Sequence, residues 1–90
     1  MISVCVATYN GEKYIEYQIK SILSQLNKDD ELIISDDGST DNTLSILYSF
    51  IDDRISVFEN SFSSPIKNFE FLIKQSKGDF IFLSDQDDIW

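Results

Sequence analysis

Four short apolar runs alternate along this chain with three stretches whose apolar residues recur at helical spacing, and that alternation leaves few folds open. The runs at 2–8, 31–35, 55–59 and 79–84 are rich in Ile, Val and Phe and read as strands. Between the first two, Ile15, Ile19, Ile22, Leu23 and Leu26 form one stripe of an amphipathic helix over 12–26. Leu44, Leu47, Tyr48 and Ile51 give a second helix its apolar face, with Ser39 or Thr40 as N-cap and Asp41 in the first turn. That helix should end at Asp52-Asp53-Arg54. Ile66, Phe69, Leu72 and Ile73 mark a third, opened by Ser64-Pro65 and closed by a C-terminal cap at Gly78.

A strand–helix alternation with connections this short predicts an α/β, Rossmann-like three-layer sandwich: a mostly parallel sheet with helices on both faces. Right-handed crossovers give the strand order 3-2-1-4, with the third strand at an edge. Ligands of such sheets sit beyond the carboxyl ends of the strands, here at the switch between strands 1 and 4. Ninety residues make one small domain.

Charge and composition exclude several function classes. Sixteen acidic residues against seven basic ones give a net charge of −9, a field that repels phosphate backbones, so nucleic acid is not an expected partner. The absence of His removes imidazole zinc sites and every His-based triad. Cys5 is the only cysteine and sits in an apolar run, where it reads as a buried, inert thiol without a disulfide partner. Nothing approaches the roughly 20 apolar residues of a membrane span, and the N-terminus lacks the basic region of a signal peptide. A cytoplasmic, reducing setting is expected.

The acidic residues concentrate where the predicted sheet would bind a ligand. Thr8-Tyr9-Asn10 follows strand 1, Asp36-Asp37-Gly38-Ser39 follows strand 2, and Asp85-Gln86-Asp87-Asp88 follows strand 4. Five carboxylates at one end of a small sheet repel one another unless a cation or proton donors share the site. Carboxylate oxygens suit Mg²⁺ or Mn²⁺, and such ions commonly take one or two carboxylates and complete their shell with phosphates and water. The spacing of Asp85 and Asp87 fits that economy. Asp52-Asp53, far from the crevice, reads as solvated surface.

Residues 2–11 (ISVCVATYNG), 36–43 (DDGSTDNT) and 78–90 (GDFIFLSDQDDIW) resemble, in order and spacing, three successive signatures of family 2 glycosyltransferases. The last of them looks most like bacterial rhamnosyltransferase-type members. The resemblance implies a GT-A-type fold and a nucleotide-diphosphate sugar donor. By position it implies that Tyr9 packs on the nucleotide base, that Asp37 accepts a base N–H, and that Thr8 lies in the same pocket. Asp85-Gln86-Asp87 corresponds to the D-x-D motif, with Asp85 near the ribose or sugar and both aspartates at the metal. Asp36 and Asp88 would orient and support these groups. The acceptor would be a glycan or a lipid-linked glycan in cell-surface polysaccharide synthesis, and the reaction would invert the sugar.

Members of that family continue into an acceptor-binding half that supplies the general base. On this reading residues 1–90 carry the N-terminal, donor-binding part, and no catalytic base is expected among them. A non-catalytic interaction module stays open as an alternative, which absence of nucleotide binding would favour. A signalling receiver domain also gathers aspartates around Mg²⁺, but it places an acidic pair after strand 1 and the phosphorylated Asp after strand 3, where this chain has Thr8 and Glu59-Asn60. A sugar nucleotidyltransferase would carry a basic first loop, which Thr8-Tyr9-Asn10-Gly11-Glu12 is not. The apolar strand 4, an edge in these 90 residues, is expected to drive self-association.

Overall fold

A computed structural model describes residues 1–85, in which β1 (Ile2–Thr8), α1 (Ile15–Leu23), β2 (Glu31–Asp37), α2 (Thr43–Tyr48), β3 (Ile55–Asn60), α3 (Pro65–Gln75) and β4 (Phe80–Asp85) follow in alternation. The four strands form one sheet in the order β3-β2-β1-β4, every pair parallel, as the alternation predicts.

Successive residues of the central strands point to opposite faces, so each strand feeds two cores. Val4, Val6, Leu32 and Ile34 meet Ile15, Ile19, Ile22 and Leu47 of α1 and α2 on one face. Cys5 and Ile33 meet Leu72 of α3 on the other, with Phe58 and Phe69 packed against them. Burial pushes the Cys5 thiol above its ordinary pKa, a hydrogen-bonding contact with the Ser76 hydroxyl opposing, which suits an inert group.

The helices differ from expectation in their ends and faces. α1 is shorter than 12–26; the Arg54 guanidinium donates to the carbonyl of Leu23, its last residue, and to that of Leu26 just beyond it. α2 is capped by neither Ser39 nor Thr40, because both are engaged with other loops; it starts after Asn42. It also stops at Tyr48, where i→i−3 bonds from Ser49 and Phe50 tighten the last turn. Phe50 thereby packs on the core and Ile51 is left fully exposed.

α3 is opened by Ser64 and Pro65 as expected, the Ser64 hydroxyl accepting from the Lys67 amide. Its inner face is set by Asn68, which donates to the Ser35 carbonyl, so Leu72 faces the sheet and Ile66 and Ile73 are exposed. Gly78 is not a helix cap. The cap is Ser76, and Gly78 instead lies against Ser3 at the start of β1.

Candidate functional site

The carboxyl ends of β1, β2 and β4 lie side by side, with Thr8 opposite Asp36 and Ala7 opposite Asp85 in the ladder. The sheet therefore brings Thr8, Asp36 and Asp85 to one end. Asp36 and Asp37 are the last residues of β2, paired with Glu59 and Asn60, rather than part of a turn.

Asp36 is fully buried and its carboxylate is satisfied from the end of β1 and from the β2–α2 loop. The Thr8 hydroxyl donates to it at 2.7 Å, the Ser39 hydroxyl at 2.6 Å and the Ser39 amide at 2.8 Å. Ser39 in turn accepts from the Asn10 amide, and Asn10 accepts from the Thr40 amide, so the β1–α1 and β2–α2 loops are tied to each other. Gly11 extends the tie by donating to the Thr43 hydroxyl.

Asp37 serves the other neighbouring loop. Its carboxylate accepts the backbone amides of Phe62 at 2.6 Å, Ser63 at 3.0 Å and Ser64 at 2.9 Å. A carboxylate offers about four acceptor positions, so one remains for a ligand. Asn10 and Ser63, the non-glycine residues with positive φ among those described, stand in these two bounding loops.

Between the loops lies a hollow of about 350 Å³ lined by Tyr9, Asp37, Ser63, Ser64 and Pro65. Tyr9 presents an exposed ring to it, and Asp37 a carboxylate already oriented by three amides. Such a cavity suits a flat group with an N–H, held by an aromatic face and a fixed acceptor. Sequence reasoning missed its far wall. Ser64-Pro65 was legible as a helix start, but nothing local says that the loop before it folds back onto Asp37.

The crowding of carboxylates is relieved in part by hydrogen-bond donors, because Asp36 and Asp37 are both engaged by the protein. Among the described residues no three His, Cys, Asp or Glu side chains converge to hold a metal ion. Asp85 ends β4 beside Ala7; Asp87 and Asp88 lie outside the described residues. Asp52 is a structural partner of Arg54, far from this end, and Asp53 is exposed. No described helix is long and apolar enough to cross a membrane.

A parallel 3-2-1-4 sheet with helices on both faces is a GT-A-type arrangement. Residues 3–90 match glycosyl transferase family 2, and the chain belongs to that family. It is 47% identical over 93 residues to the dTDP-rhamnosyl transferase RfbG of Shigella flexneri, covering 94% of this chain and 32% of that protein. The crystal structure of S. aureus TarS 1-349 in complex with UDP-GlcNAc superposes with a TM-score of 0.89 at 33% identity, over 98% of this chain and 27% of that one. The mannosyltransferase PcManGT from Pyrobaculum calidifontis, in complex with GDP-Man and Mn²⁺, shares the fold at 23% identity, with a TM-score of 0.89 over 99% of this chain and 28% of that one. The chain thus spans about a third of the length of the curated relative RfbG.

Proposed function

We propose that this chain is the donor-binding part of a glycosyltransferase acting in cell-surface polysaccharide synthesis. In this reading the hollow between Tyr9 and Asp37 takes the base of a nucleotide-diphosphate sugar. The observation that carries it is the convergence of an aromatic ring and an amide-fixed carboxylate at the carboxyl ends of β1 and β2. The remaining acceptor position of Asp37 favours a base that offers an N–H, as uracil, thymine and guanine do. Identity to RfbG adds support for a rhamnosyltransferase-like donor.

Mg²⁺ or Mn²⁺ is the proposed cofactor. Asp36 and Asp37 are engaged by protein donors, and the resemblance of Asp85-Gln86-Asp87 to the D-x-D motif makes Asp85 and Asp87 the proposed ligands, with Asp88 supporting them. The bound ion would neutralise charge on the departing diphosphate. Transfer to the hydroxyl of a glycan or lipid-linked acceptor would be inverting, and its general base is assigned to no residue among these 90. Donor binding without transfer is therefore the activity proposed for residues 1–90 alone. A cytoplasmic setting suits the free, buried Cys5 thiol.

Calorimetry of UDP and dTDP with and without Mn²⁺ tests the proposal. Binding should require the ion, and Asp87→Asn should abolish it while Asp53→Asn changes nothing. Affinity that is independent of metal, or equal losses from both variants, would sink this reading.

A further inference from the structure

Tyr9 is the ring on one side of the hollow, and its two chain neighbours, Thr8 and Asn10, are both tied to one buried carboxylate. Asp36 is fully buried, and it holds the residues on both sides of Tyr9. Thr8 donates to it directly at 2.7 Å. Asn10 is reached through a relay: its amide donates to the Ser39 hydroxyl at 2.8 Å, which donates to the same oxygen of Asp36 at 2.6 Å. Asn10 sits at φ 49°, a left-handed conformation that needs support from its surroundings. A left-handed residue thus stands beside the aromatic wall, tied through one hydroxyl to a buried carboxylate.

We propose that Asp36 and Ser39 are positioning residues that set the Tyr9 ring for the nucleotide base, acting through Thr8 and Asn10 without contacting the ligand. The inference rests on the donor-site reading above. It divides the labour of the adjacent carboxylates: Asp36 fixes the Tyr9 wall, and Asp37 fixes the wall formed by Ser63, Ser64 and Pro65. Neighbouring strand residues point to opposite faces, which lets one dipeptide serve two loops.

Ser39→Ala is the clean probe, because it removes the relay hydroxyl and keeps the Ser39 amide bond to Asp36. Affinity for UDP and dTDP with Mn²⁺ should fall about 3- to 10-fold, the size of one lost hydrogen bond. In a Tyr9→Ala background the same change should cost less than about twofold, since coupled residues are not additive. Amide exchange at Asn10, measured without ligand, should quicken in Ser39→Ala. Additive losses in the two backgrounds, full affinity in Ser39→Ala, or unchanged exchange at Asn10 would each overturn the proposal. Failure of the unaltered protein to bind either nucleotide would sink the donor-site reading instead, and the relay would then be judged on exchange alone.

Discussion

Thr8 donates its hydroxyl to the buried carboxylate of Asp36 at 2.7 Å, and the two residues face each other across the β1–β2 ladder. A buried carboxylate that loses a donor keeps its desolvation cost, typically about 1–3 kcal/mol. Thr8→Val preserves shape and removes the donor, so it should lower stability by that amount in urea unfolding. Thr8→Ser keeps the hydroxyl and should lose much less. Equal losses would assign the effect to packing.

Gly78 occupies a place where no side chain fits. A Cβ there would lie 2.6 Å from the Ser3 hydroxyl, 2.7 Å from the Ser3 nitrogen and 3.0 Å from the Ile2 carbonyl carbon. Overpacking of this kind costs about 1–3 kcal/mol. Gly78→Ala should therefore lower the melting temperature, and adding Ser3→Ala should not restore it, because two of the three clashes are with backbone. Full rescue by Ser3→Ala would show that β1 can shift to make room.

Arg54 predicts a pH dependence. Its guanidinium donates to Asp52 at 3.0 and 2.8 Å, and with help from the Arg54 amide it holds the Asp52 carboxyl down from 3.8 to about 2. A depressed carboxyl contributes its stability in full above its ordinary pKa and loses it as pH falls through the folded-state value. Wild type should lose stability relative to Asp52→Asn between about 3.8 and about 2. The pair is partly solvated, so the difference should be about 1 kcal/mol at neutral pH. Melting curves of the two proteins across that range decide it, and parallel curves would count against the pair.

The strand order was legible because β-branched runs and helical stripes carry it locally, and right-handed crossovers do the rest. Helix ends were less so, since they depend on partners distant in sequence. Ser39 and Thr40 look like caps for α2, but Asp36 and Asn10 take their hydroxyl and amide first. Ile51 fits the α2 stripe by spacing, yet a tightened last turn substitutes Phe50. At the site, Tyr9 and Asp37 could be singled out from their motifs. The amides of residues 62–64 could not, because a backbone N–H carries no side-chain signature and any sequence supplies it. The division between Asp36 and Asp37 was hidden for a similar reason: adjacent identical residues differ here only in which loop each one faces.

The last strand of the sheet carries an association prediction for the 90-residue chain. Phe80, Ile81, Phe82 and Leu83 are 66%, 42%, 47% and 51% exposed, on a strand that pairs with β1 alone among the described strands. The run contains neither Lys nor Pro, the usual devices that blunt a sheet edge. We expect a second copy to pair with it across a two-fold axis, β4 against β4. The net charge of −9 opposes this most at low ionic strength, so salt should strengthen association as it screens the repulsion. Sedimentation at two salt concentrations should show monomer giving way to dimer at the higher one. Ile81→Lys places a charge on the edge and should hold the chain monomeric at both. If the unaltered chain stays monomeric at high salt and high concentration, β4 is not an interface between copies.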